Sequence, residues 1–305
     1  MASTAQDRPS LRSEWRVVLG ALLVAASAAC GGPTAPSAYP TPAATPTPPP
    51  RVAVVSIDGL RPDALTAETA PNILAFAERG AYTLAAQTVF PSTTLPGHTS
   101  MLTGLEPSAH GITFDEYREA FQLTTPTLLS LARAAGKQTV MVIGKNKLKQ
   151  LALAGSLDTF VLTTRGDDDV VNETITALSA GFDLLFVHLP QTDQTGHVSG
   201  WMSAEYAAQL QKTDAAFGRL LAVLPTGTTV ILTADHGGHV RDHGTRDRVD
   251  MTVPWIIVGP KVLHRGPLAR LVRAVDTTPT VLGLLGVAAP PNLAGQPVAE
   301  AFEAK

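Results

Sequence analysis

Residues 51–60 read RVAVVSIDGL, a run of apolar and mostly β-branched residues that stops on Asp58 and Gly59. A run that is apolar at almost every position, rather than at alternate ones, predicts a strand buried on both faces. The same construction recurs as TVMVIG at 139–144, DLLFVHL at 183–189, TTVILTA at 228–234 and PWIIVG at 254–259. Segments with helical apolar spacing lie between these runs, among them APNILAFAERG at 70–80 and PTLLSLARAAG at 126–136. Alternation of this kind predicts an α/β fold, a mostly parallel sheet covered by helices on both faces. No internal repeat and no second proline-rich linker interrupts residues 51–305, which therefore read as one domain.

The chain has 305 residues, 45% of them hydrophobic and 16% charged, enough for a large core and against global disorder. A formal net charge of -3 provides no basic footprint for duplex nucleic acid, though a local site can still attract a small anion. The first fifty residues follow a different logic. Arg8, Arg12 and Arg16 precede VVLGALLVAASAA at 17–29, too short for a bilayer span of about 20 residues but suited to an export signal. Cys30, the only cysteine, closes SAAC, which resembles a bacterial lipobox with Ser27 where leucine is usual. Residues 1–30 are thus expected to export the chain to the periplasm or cell surface, with a membrane attachment through lipid on Cys30; simple cleavage after Ala29 is the competing reading. Residues 31–50, rich in proline, read as an extended tether. No protein partner is predicted.

Open α/β sheets bind ligands at the carboxyl ends of their strands. Here those ends carry acids and histidines: Asp58 after the first run, Asp193 and His197 after the third, Asp235 and His236 after the fourth, with His239 and His243 in the loop beyond. A carboxylate set against low-dielectric surroundings needs a positive neighbour. Few basic residues stand beside these strand ends in sequence, whereas carboxylates mixed with imidazoles are the ligand set of zinc and similar divalent ions. The six ligands divide into two sets of three.

In order, SIDGLRPD (56–63), FPSTTLPGHTSMLTG (90–104), HGIT (110–113), TDQTGH (192–197), TADHGG (233–238) and HGT followed by MTVPWIIVGP (251–260) resemble the alkaline phosphatase superfamily, most of all its nucleotide pyrophosphatase/phosphodiesterase branch. The resemblance implies a three-layer α/β/α sandwich, two divalent metal ions, usually Zn2+, and hydrolysis of small phosphate esters through a covalent phospho-enzyme. It implies Asp58, Asp235 and His236 on one metal with the nucleophile, and Asp193, His197 and His243 on the other. It selects Thr94 as nucleophile over Ser92 and Thr93, which are expected to satisfy turn or helix-start amides. Metal coordination is one of the few ways to activate a threonine hydroxyl, and a helix start adds amide donors facing a phosphoryl group. His239 is expected to serve the loop rather than a metal.

Two departures qualify the resemblance. Asp115 stands where the family commonly has an asparagine that donates to a phosphate oxygen, and an ionised carboxylate only accepts. His236 and His243 are seven residues apart, without the long insertion that shapes the nucleotide pocket, so an open pocket is expected. Lys145 and Lys147 resemble the K-x-R pair of the monoesterase branch, with lysine in place of arginine, and are expected with Asp115 to bind substrate. Diester, monoester and phosphonate ester stay open as substrates. A sulfatase is disfavoured because the converted Cys or Ser of C/S-x-P-x-R is missing. A metal-stabilised surface module without catalysis is the rival of another class.

Overall fold

A computed structural model describes residues 49–304. The export signal, Cys30 and nearly all of the proline-rich segment lie outside the described residues. Eight strands form one sheet: β1 Arg51–Ile57, β2 Ala81–Gln87, β3 Thr139–Ile143, β4 Thr159–Leu162, β5 Leu184–Leu189, β6 Thr228–Thr233, β7 Thr252–Val258 and β8 Gly266–Pro267. Their lateral order is β4-β3-β5-β1-β6-β7-β2-β8, and β7 alone runs antiparallel to its neighbours. The helices are α1 Pro71–Ala77, α2 Thr94–Thr103, α3 Pro107–His110, α4 Leu128–Ala134, α5 Asp167–Ala177, α6 Gln191–Ser199, α7 Ala204–Val223, α8 Arg248–Met251 and α9 Thr277–Leu285. One layer groups α1, α5 and α6 around α7; the other groups α2, α3, α4 and α9. The result is the α/β/α sandwich.

All five apolar runs form strands. Those of β3 and β5 are buried at every position, as an interior parallel strand requires. Strands β2, β4 and β8 gave no such signal because they lie near or at the sheet's edges, with Leu84 and Phe160 each 38% exposed. No helix among the described residues is long and apolar enough to cross a membrane.

The strand order decides where the site forms. β1 lies between β5 and β6 with Ser56 level with both His188 and Thr233, so Asp58, Asp193 and Asp235 leave three adjacent strands at one edge. Helix α2, buried along its whole length, ends on Gly104 in the left-handed conformation at φ 71°. Gly97 lets this helix press on the end of β6, since a Cβ there would sit 2.7 Å from the Asp235 carbonyl oxygen. That approach carries Thr94 to the carboxylates.

Candidate metal centre

Two triads assemble at this edge: Asp58, Asp235 and His236, and Asp193, His197 and His243, the ligand atoms of each lying within 4.8 Å of one another. The first is fully buried, whereas the His197 side chain is 42% exposed, so the second triad opens to solvent. The rings of His236 and His243 stack at 3.8 Å and join the two.

Backbone carbonyls, which only accept, fix which ring nitrogen of each histidine faces the carboxylates. His236 Nδ1 donates to Gly237 O at 2.7 Å, which turns Nε2 toward Asp58 Oδ1 at 3.4 Å, Asp235 Oδ2 at 3.3 Å and Thr94 Oγ1 at 3.4 Å. His197 Nδ1 donates to Arg241 O at 2.9 Å and His243 Nδ1 to Ser92 O at 3.1 Å. Their Nε2 atoms consequently face each other at 3.1 Å, each 3.4 Å from Asp193 Oδ1 without hydrogen-bond alignment. Each triad gathers carboxylate oxygens and imidazole Nε2 atoms around one point. Among the described residues four buried side-chain polar atoms lack a hydrogen-bond partner, and three are Asp58 Oδ1, Asp193 Oδ1 and Asp235 Oδ2. Such an orphaned buried oxygen costs roughly 1–3 kcal/mol or more. The donor set fits divalent cations.

One expectation needs correction. A basic residue does reach the strand ends: Lys145, which follows β3, places Nζ 2.8 Å from Asp58 Oδ2, 2.5 Å from Asp193 Oδ2 and 3.3 Å from Thr94 Oγ1. One ammonium against three carboxylates leaves the site negative, and Lys145 occupies the oxygens opposite the orphaned ones. The electrostatics follow. Burial would lower the Lys145 pKa, but Asp58, Asp193 and Asp235 hold it above the usual lysine value. Burial would likewise lower His236, and Asp235, Asp58 and Asp193 push it up to about 10. Burial would raise Asp58, yet the Lys145 ammonium, the His188 hydrogen bond and the neighbouring His236 keep it well below the usual carboxylate range.

Thr94 opens α2, and its carbonyl accepts from His98 Nδ1 at 2.8 Å. Its neighbours behave differently from expectation: the Ser92 hydroxyl donates to Thr245 O at 2.6 Å, and Thr93, although the N-cap, makes no side-chain cap bond. They tie and space the His243 loop instead of serving helix-start amides. His239 stands outside both triads and pairs with Asp250 at 2.8 Å, and Asp250 also accepts from the Thr245 amide and hydroxyl. Asp115 Oδ1 accepts from the Leu95 amide at 2.7 Å, and Lys147 lies 2.6 Å from Asp115 Oδ2.

For His188, inside the run that forms β5, packing and hydrogen bonding are the economical reading from sequence. Gly144 N–H donates to its Nδ1 at 3.2 Å, so its Nε2–H donates to Asp58 Oδ2 at 2.8 Å and fixes that carboxylate. A signal existed: a histidine in a wholly apolar interior strand, one residue before its end. His188→Leu is expected to weaken metal binding by about 10- to 100-fold, measured by competition against a chromogenic chelator. Unchanged affinity in a folded variant would return His188 to packing. Trp201, also unforeseen, donates from Nε1 to Gly59 O at 2.9 Å and meets the His197 ring edge-on at 5.1 Å.

Comparison with known proteins agrees in kind with this geometry. Residues 52–127 match the family model "Type I phosphodiesterase / nucleotide pyrophosphatase", and residues 156–288 the model "Metalloenzyme superfamily". The chain is 32% identical over 141 residues to a 2,3-bisphosphoglycerate-independent phosphoglycerate mutase of Rhodopirellula baltica, 44% of this chain and 25% of that protein. It is 26% identical over 254 residues to ectonucleotide pyrophosphatase/phosphodiesterase family member 3 of Mus musculus, 73% of this chain and 28% of that protein. The chain thus spans about a quarter of the length of these two relatives. In structure it is similar to murine ectonucleotide pyrophosphatase/phosphodiesterase 5, solved in an inactive threonine-to-alanine form with AMP, at TM-score 0.71 and 15% identity, covering 83% of this chain and 98% of that one. At that identity the likeness concerns the fold.

Proposed function

We propose, for a chain that belongs to the alkaline phosphatase superfamily in its nucleotide pyrophosphatase/phosphodiesterase-like branch, that it hydrolyses phosphate esters through a phosphothreonine at Thr94. The observation that carries this reading is the convergence of imidazole Nε2 atoms and orphaned carboxylate oxygens beside the Thr94 hydroxyl. Asp58, Asp235, His236 and Thr94 would hold one divalent ion, and Asp193, His197 and His243 a second, with zinc the expected metal. Bound there, two ions supply Lewis acidity, lowering the pKa of a hydroxyl and neutralising charge on entering and departing oxygens.

The chain's own residues do the rest. Thr94 Oγ1 gives up its proton to water and bonds to phosphorus as the phosphorus–oxygen bond to the leaving group breaks, and the departing oxygen takes a proton back from water. A water then attacks phosphorus, the Thr94 Oγ1–phosphorus bond breaks, and the threonine hydroxyl is restored with release of the phosphoryl product. Helix α2 presents the positive end of its dipole to the phosphoryl oxygens. His98 fixes the nucleophile's backbone from within the same helix, and Lys145 places a positive charge beside its oxygen. Burial of the first triad shields the nucleophile, and the open second triad leaves room for leaving group and water.

Turnover of bis(p-nitrophenyl) phosphate and p-nitrophenyl phosphate by the full chain loaded with zinc tests the reading. Hydrolysis of at least one is expected. A fully metallated protein that turned over neither would be a metal-binding module instead. Residues 1–30 extend the proposal to export into the periplasm or onto the cell surface, and mass spectrometry of the exported protein distinguishes lipid on Cys30 from cleavage after Ala29.

A further inference from the structure

We propose that Asp115 sets the charge class of the substrate: by cancelling Lys147 it reserves the centre for phosphoryl groups of one negative charge, diesters and phosphonate monoesters, over dianionic monoesters. The inference rests on the phosphate-ester reading above. Its basis is the fate of the two lysines that follow β3. Lys145 is 13% exposed and engaged by Asp58 and Asp193. Lys147, 26% exposed, is engaged by Asp115 at 2.6 Å. Each ammonium is thus already matched by carboxylate charge, and neither brings an uncompensated positive charge to a second negative charge on phosphorus.

Asp115 holds its place through its other oxygen, which accepts from the amide of Leu95, the residue after Thr94. Its carboxylate therefore sits at the first turn of α2, where a phosphoryl group attacked by Thr94 would lie close by, and it occupies a donor that group could have used. The repulsion between this carboxylate and the phosphoryl group scales with the charge on the latter, so a dianion meets twice that of a monoanion. With Lys147 paired, nothing on the turn after β3 offsets the difference.

Asp115→Asn keeps an oxygen that can accept from Leu95 N–H, nearly preserves the shape, and turns its amide N–H atoms toward Lys147, which is thereby released toward the phosphoryl group. The experiment compares wild type, Asp115→Asn and the double variant Asp115→Asn/Lys147→Met as full-length, metal-loaded proteins at a pH of about 8, where the monoester is dianionic. Two quantities are read: the ratio of kcat/KM for p-nitrophenyl phosphate to that for bis(p-nitrophenyl) phosphate, and the calorimetric Kd for inorganic phosphate. Wild type is expected to favour the diester. Asp115→Asn is expected to raise the monoester-to-diester ratio and to tighten phosphate binding, each by about tenfold or more, and the double variant to lose most of both gains.

A wild type that favoured the monoester would overturn the proposal. So would a ratio and Kd that move less than about twofold in Asp115→Asn, or gains that persist undiminished once Lys147 is gone, since Asp115 would then be only a clip on the start of α2. Absence of turnover in every protein would instead strike at the hydrolase reading, and the phosphate titration would still decide the role of Asp115.

Discussion

Thr94→Ala is expected to lower kcat/KM toward aryl phosphate esters by about 10³-fold or more while leaving the fold and the bound metal largely in place. The side chain is buried, small and at the first position of α2, where alanine is well tolerated, and the Thr94 carbonyl would still accept from His98. What disappears is the oxygen 3.3 Å from Lys145 Nζ and 3.4 Å from His236 Nε2. Thr94→Ser keeps that oxygen and should retain measurable turnover. Acid quenching of wild type during turnover should trap phosphate on the peptide carrying Thr94, and the alanine variant should trap none. Near-normal rates in Thr94→Ala, or phosphate on Ser92 or Thr93, would assign the nucleophile elsewhere.

Removal of divalent ions should abolish turnover and lower Tm together. Without cations, Asp58, Asp193 and Asp235 face one another with one lysine and the imidazoles as their only positive partners. Ions held at roughly a hundred times their Kd each contribute about 2.7 kcal/mol, so stripping both should cost about 10–20 °C in Tm, and zinc should restore both Tm and rate. Metal analysis of the dialysed protein should find two ions per chain. In the double variant His197→Ala/His243→Ala it should find one, because the buried triad stays complete when the open one loses its imidazoles. Full activity in a protein shown to be metal-free would overturn the two-ion reading.

Much of this centre was legible because strands and the residues that end them are local features. The run VAVVSI reads as buried without knowledge of its neighbours, and Asp58 follows it whatever the lateral order. The same holds for Asp235 and His236 after β6. The strands at and next to the edges were not legible: β4 and β2 carry partly exposed faces, and a half-wet strand has no continuous apolar signature. His188 was under-read for the opposite reason, since a polar residue inside a buried strand looks like a tolerated exception until a partner 130 residues away is seen to use it.

By itself the sequence determined the α/β class, the run-then-acid construction at the strand ends and the six ligand-type side chains, all written in short-range periodicity and residue chemistry. Only the tertiary structure decided that β5, β1 and β6 are neighbours, that β3 delivers Lys145 to Asp58 and Asp193, and that Asp115 neutralises Lys147. It also decided which imidazole nitrogens face the carboxylates, because carbonyls of Arg241 and Ser92, on separate loops, hold the Nδ1 protons of His197 and His243. Lateral strand order and proton placement depend on long-range packing and on backbone groups brought in from elsewhere in the chain, which local pattern does not encode.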